Sequence, residues 1–93
     1  MLAVCVDFEI NPASLAAFLP LMHKNAAESL ANKASCHQFD ITQDPVKIFL
    51  YELNDDAAAF ETHKQESHYL EFNETTRGMI VAKSVRLLQK INH

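Results

Sequence analysis

The sequence predicts an α+β domain, ferredoxin-like, with a β-α-β-β-α-β order on one antiparallel sheet, the split βαβ plan. Three observations carry that expectation. Residues 2–10 alternate, with Leu2, Val4, Val6, Phe8 and Ile10 on one face of a strand. Leu15, Phe18, Leu19, Met22, Ala26 and Leu30 then recur at helical offsets. Two further period-2 runs flank a proline turn, and a second helical stretch leads to a closing strand. With 93 residues and no linker, repeat or low-complexity segment, residues 1–93 form one domain.

Each element has its own local cause. Asn11 and Pro12 open the first helix, an N-cap followed by proline where no backbone donor is lost. Pro20 lies inside the helical stripe and predicts a kink near Ala16–Pro20. The helix fades around Asn32–Ser35, and Cys36–Thr42 alternate as a second strand. Gln43, Asp44 and Pro45 make the turn of a hairpin, with Lys47–Leu53 as its apolar return strand. Asn54, Asp55 and Asp56 cap a helix that runs through Phe60 and His63, the two aspartate carboxylates placed at its positive end. A break at Gln65, Glu66 and Ser67 follows, with Ser67 capping a further helical segment through Thr76. Gly78 ends that segment in the left-handed conformation. Ile80–Ile91 form the last strand, Val81, Val85 and Leu87 alternating with Ser84, Arg86 and Lys90.

Composition narrows the function classes. The chain is 48% hydrophobic and 22% charged, ordinary for a globular domain. A net charge of −4 argues against nucleic acid as a partner. The N-terminal run has no basic flank and meets Asp7 early, so neither a signal peptide nor a membrane span is expected, and the location is read as cytoplasmic. Cys5 and Cys36 are accordingly expected to be free thiols. A core this small buries only about 60–65% of the unfolded surface, which predicts self-association.

The stretch Tyr51–Phe72 holds most of the titratable and aromatic chemistry. His63 and His68 are five residues apart, about 140° around a continuous helix. Only the break between them brings both to one cavity, where an imidazole takes or returns a proton near neutral pH. The bland alternative makes His63 a helix-end residue and His68 a surface residue. Tyr51 and Glu52 face opposite sides of their strand. Glu52 shares its face with Ile48 and Leu50, which makes it either a buried proton acceptor with a raised pKa or a structural ion pair. Five histidines raise the question of a metal, but His63 and His68 lack i,i+4 spacing, so no metal site is expected.

Taken together, HQFDITQD (37–44), FLYELNDDAAAFETH (49–63) and SHYLEF (67–72) resemble the antibiotic biosynthesis monooxygenase family, most closely its small quinol monooxygenase branch. The likeness covers nearly the whole chain, including the first helix AAFLPLMHKNAAESL (16–30). It implies a protomer that pairs into a dimeric α+β barrel, with a pocket between sheet and helices. It also implies a homodimer that oxygenates quinols or polyphenols with molecular oxygen and no metal or flavin cofactor. The asparagine the family places near Asn25 implies an amide that steadies an oxyanion. His68 and His63 become the expected catalytic bases, with Tyr51, Glu52, Phe39, Tyr69, Phe72 and Met22 as pocket wall. Two positions depart from the family pattern. Lys33-Ala34-Ser35 stands where Glu-Pro-Gly is frequent, and Asn54 where tryptophan is frequent. The absent tryptophan weakens a haem-degrading reading in particular. Related chemistries compatible with the same residues are isomerisation of a small phosphorylated dicarbonyl compound, with Lys24, Lys64 or Arg86 as the anion's partner, and non-catalytic ligand binding.

Overall fold

The computed structural model describes residues 1–32 and 36–92. The chain forms β1 (Leu2–Ile10), a 3₁₀ turn (Pro12–Ser14), α1 (Leu15–Asn32), β2 (Cys36–Asp44), β3 (Lys47–Asn54), α2 (Ala57–His63), α3 (Ser67–Thr76), a second 3₁₀ turn (Arg77–Met79) and β4 (Ile80–Gln89). The four strands make one antiparallel sheet in the order β2-β3-β1-β4, the expected ferredoxin-like arrangement. The expected helix end at Asn32–Ser35 and the Lys33-Ala34-Ser35 turn fall on or beside residues 33–35, outside the described residues.

β1 is central, and its alternation decides which face is covered. Val4 and Ile10 are fully buried with Leu2, Val6 and Phe8, facing the helices. Pairing puts Glu52, Leu50 and Ile48 of β3 opposite Val4, Val6 and Phe8, on the same face. α1 lays Phe18, Met22 and Ala26 over this surface. Phe18 sits edge-on between Phe8 and Phe72, with ring centroids 5.5 and 5.8 Å away. Such pairs add about 0.5–1.5 kcal/mol each beyond burial. Pro20 lies within α1, which continues through it as one helix.

Several local expectations need correction. The hairpin turn is Pro45–Val46, with Asp44 paired to Lys47, so β2 runs two residues further than its alternation indicated. Ser67 is the first residue of α3 and not its cap. The capping position is Glu66, whose side chain turns back to His63 and makes no cap hydrogen bond. Gly78 has no positive φ and sits in the second 3₁₀ turn, so its left-handed freedom is not used. β4 ends at Gln89 and not Ile91, and its apolar stripe is uncovered. Val81 and Leu87 are 62% and 51% exposed, on a strand that pairs with β1 on one side and forms the edge of the sheet. Among the described residues, no helix is long and apolar enough to cross a membrane.

Candidate functional site

α2 is short, and its start is fixed by Asp56, whose carboxylate accepts a hydrogen bond from the Ala59 N–H at 2.8 Å. The helix stops at His63, and the chain folds back through backbone bonds from Gln65 N–H to the Thr62 carbonyl and from Glu66 N–H to the His63 carbonyl, both 3.1 Å. This turn defeats the 140° separation expected of a continuous helix. The imidazoles of His63 and His68 end up with centroids 5.5 Å apart, and Tyr69 packs edge-on against His63 at 5.2 Å. His63 is 3% exposed and its Nδ1 lies 3.1 Å from a Glu66 carboxylate oxygen. One ligand atom from each of His63, Glu66 and His68 falls within 4.8 Å of the others.

Two cavities meet beside these residues. A narrow one of about 40 Å³ lies between the sheet and the helices, walled by Val6, Phe8, Met22 and Phe72, with Glu52, His63 and Lys83 among its polar members. The other is a polar cleft of about 120 Å³ between α1 and α3, bordered by Lys24, Glu28, His68 and Glu71. Asn25 and Phe72 border both and form the partition between them. His63 therefore faces the inner cavity and His68 the cleft, their rings touching across the junction.

Glu52 is 5% exposed, flanked in the sheet by Val4 and Phe39. Burial pushes its carboxyl from 4.5 up to about 7, and the charge of Lys83 only partly opposes this. Its Oε1 is buried without a hydrogen-bond partner, as is Oδ1 of Asn25. The two atoms belong to residues that line the same cavity. Lys83 is at the other end of that cavity, two strands across the face, with its amine 5.4 Å from the Phe8 ring centroid. Partial burial holds its ammonium below the ordinary lysine value, while Glu52 pulls the other way.

Among the expected wall residues, Met22, Tyr69 and Phe72 line the inner cavity with Glu52. Tyr51 does not: it pairs with Cys5, on the sheet face turned away from the helices. Phe39 is on the helix side but packs in the core and lines neither cavity. Of the cations considered for an anionic substrate, Arg86 pairs with Cys5 on the far face, Lys64 bonds Glu61 at 2.9 Å, and Lys24 faces the cleft. Lys83 was missed, although a lysine interrupting the row Val81, Val85 and Leu87 marked it in the sequence. Ser29 was missed as well. It is fully buried, donates to the Asn25 carbonyl at 2.8 Å and contacts His68 Nε2 at 3.3 Å. Both cysteines are free and buried, and burial pushes the Cys36 thiol up to about 11, which makes it a poor nucleophile.

The fold and the site together define a ferredoxin-like α+β domain that encloses a buried carboxylate, an amide and an imidazole between its sheet and its helices. The chain belongs to the antibiotic biosynthesis monooxygenase family, whose sequence profile matches residues 1–75. That span includes Asn25, Glu52, His63 and His68, and leaves β4 with Lys83 beyond it. Solved structures agree on the fold. A provisionally assigned antibiotic biosynthesis monooxygenase from Nitrosomonas europaea superposes with a TM-score of 0.93 at 22% identity, covering 99% of this chain and 100% of that one. One of the same description from Caulobacter crescentus gives 0.93 at 18% identity, with 98% and 90% covered. A Pseudomonas aeruginosa protein gives 0.89 at 23% identity, with 98% and 94% covered. No curated protein matches the chain by sequence.

Proposed function

We propose that this protein is a monooxygenase of a flat quinol-like or polyphenolic molecule, using molecular oxygen and no cofactor. The observation that carries the reading is the buried Glu52 carboxyl, whose Oε1 has no hydrogen-bond partner and whose pKa burial raises to about 7, in a cavity walled mostly by apolar side chains. A proton acceptor poised near the working pH is what abstraction from a phenolic hydroxyl requires. His63 lines the same cavity and receives or passes on the proton, with His68 linking it to the cleft and solvent. The NH₂ group of Asn25, beside Glu52 in the cavity lining, donates a hydrogen bond to the oxyanion once the proton has gone.

The phenolate carries the electrons for the rest of the reaction. It adds oxygen at a ring carbon bearing hydrogen, and the resulting hydroperoxide loses water. One oxygen atom stays on the ring carbon, the other leaves as water, and the substrate supplies all the electrons. The inner cavity is narrow, so a ring enters with displacement of side chains such as Phe72 on the partition and Tyr69 on the inner wall. The uncovered apolar stripe on β4 fits a homodimer, and Val85 of that stripe borders the same cavity.

The test is oxygen uptake by metal-free, cofactor-free protein across a panel of quinols and polyphenols, with Glu52→Gln and His68→Ala measured beside it. Uptake above the autoxidation blank that falls in Glu52→Gln supports the reading. Tight binding of the same compounds without uptake would leave a ligand-binding module in its place. Lys83 favours a second reading, isomerisation of a small phosphorylated dicarbonyl compound. There Glu52 moves the proton between adjacent carbons and Lys83 holds the anionic group. Turnover of such a substrate, abolished in Lys83→Met, would select it.

A further inference from the structure

We propose that His63, Glu66 and His68 form a binding site for one divalent transition-metal ion at the junction of α2 and α3. This goes beyond the oxygenase reading and does not rest on it: that reading uses the metal-free chain, and an ion bound here would occupy nitrogens that the proton relay needs.

Two imidazoles and one carboxylate match the donor set of first-row metal sites, and with ligand atoms mutually within 4.8 Å a small side-chain movement brings all three onto one ion. The missing i,i+4 spacing of His63 and His68 counts against such a site only on one continuous helix. The fold-back at 64–66 makes it irrelevant. Glu66 N–H is bonded to the His63 carbonyl, which sets the carboxylate beside the ring of His63 through the backbone itself. The ring of His63 is held in turn by Tyr69 and Phe60, at centroid distances of 5.2 and 6.5 Å. A site whose ligands are already fixed loses little entropy on binding.

The surroundings of His68 point the same way. Ser29 Oγ–H donates to the Asn25 carbonyl, so its oxygen acts as acceptor toward the imidazole. His68 Nε2 then carries the hydrogen, and Nδ1 keeps its lone pair. An outer partner that fixes the tautomer of a ligating histidine is a regular feature of metal sites. At His63 and Glu66, an ion would replace the proton shared between Nδ1 and Oε1, 3.1 Å apart. The polar cleft gives an ion and its waters a route to His68. Glu28 and Glu71 on its border favour a cation, and Lys24 there is paired with Glu28 at 3.8 Å. Imidazole with carboxylate suits zinc, cobalt or nickel better than calcium or magnesium.

The experiment is a Co²⁺ titration of the whole metal-stripped protein, followed by visible absorption and by the histidine ring resonances in NMR. The expected result is saturation at one ion per chain, with strong paramagnetic effects on His63 and His68 and weak ones on His23 and His37. No sulfur-to-cobalt charge-transfer band should appear. Glu66→Gln and His68→Asn should abolish saturable binding, and Ser29→Ala should weaken it about tenfold through the lost outer hydrogen bond. The NMR readout uses the unaltered chain, so a variant that fails to fold does not leave the question open. No saturation, or effects centred on the exposed His37–Asp55 pair, would overturn the proposal. Because binding is read directly, it stands or falls whether or not the protein consumes oxygen.

Discussion

His63 and His68 touch ring to ring, at 5.5 Å between centroids, although a continuous helix would point them about 140° apart. The contact exists because α2 ends at His63 and α3 starts afresh at Ser67. The meeting of the two histidines depends on that interruption. It sets Glu66 beside His63, turns His68 toward Ser29 and the cleft, and places the two histidines on either side of the partition formed by Asn25 and Phe72.

The first prediction follows from how α2 is held. A helix of seven residues is too short to persist by propensity alone, and Asp56 supplies its side-chain cap. Asp56→Ala should cost about 1 kcal/mol of stability. Chemical denaturation gives the overall loss. Amide exchange should accelerate most in residues 57–66, and protection unchanged there would show that packing of Phe60 and His63 suffices without the cap.

Glu52 makes stability depend on pH in a defined direction. Its carboxyl titrates near 7 in the folded chain against an ordinary value of 4.5, so between these values the native state holds more protons than the unfolded state. Stability contributed by the neutral carboxyl is fully present below about pH 4.5 and is lost as pH rises through about 7. The loss is on the order of 3 kcal/mol. Glu52→Gln removes this dependence, so the stability of the variant relative to wild type should climb across that window and flatten on either side. Urea unfolding of both proteins from pH 4 to pH 8 checks it. A constant difference would mean that water reaches the carboxylate and that it ionises normally.

Gly78 offers a contrasting case, in which the sequence signal was real and its explanation was not. A glycine after a helix suggests a left-handed end, yet no glycine here has positive φ, and a Cβ at Gly78 would meet nothing within 4 Å. Gly78→Ala should therefore raise stability by about 0.4–1 kcal/mol, by restricting the unfolded chain. Thermal unfolding measures it. A loss would reveal a contact at this turn that arises in an assembled form.

The sequence was most informative where one physical demand dominates. Leu2, Val4, Val6, Phe8 and Ile10 alternate because a single buried face selects them, and all five are buried. Glu52 could be assigned to the helix side by parity with Ile48 and Leu50, and Tyr51 to the other. What escaped depended on tertiary placement. Lys83 belongs to the cavity only because β4 pairs with β1 in a register that sets it beside Phe8. Ser29 matters only because α3 crosses α1 at that turn. Glu66 read as part of a break, and its side chain proved to be the link between that break and His63.

The last prediction concerns β4, whose apolar row is a sequence signal of burial that the single chain leaves unmet. Val85 and Leu87 extend the helix-side face of β1, paired with Val6 and Val4, yet they are 46% and 51% exposed. Leu88, opposite Ala3 on the other face, is 44% exposed. An edge strand with apolar residues on both faces is a surface that soluble proteins normally cover. Homodimerisation through β4 would cover it and would close the end of the inner cavity where Lys83 and Val85 sit. Leu87→Glu with Leu88→Glu should convert a dimer into a monomer in sedimentation. On the oxygenase reading, oxygen uptake should fall with it, because the inner cavity would stand open to water. A double variant that stays dimeric places the interface elsewhere and leaves the apolar row of β4 without this explanation.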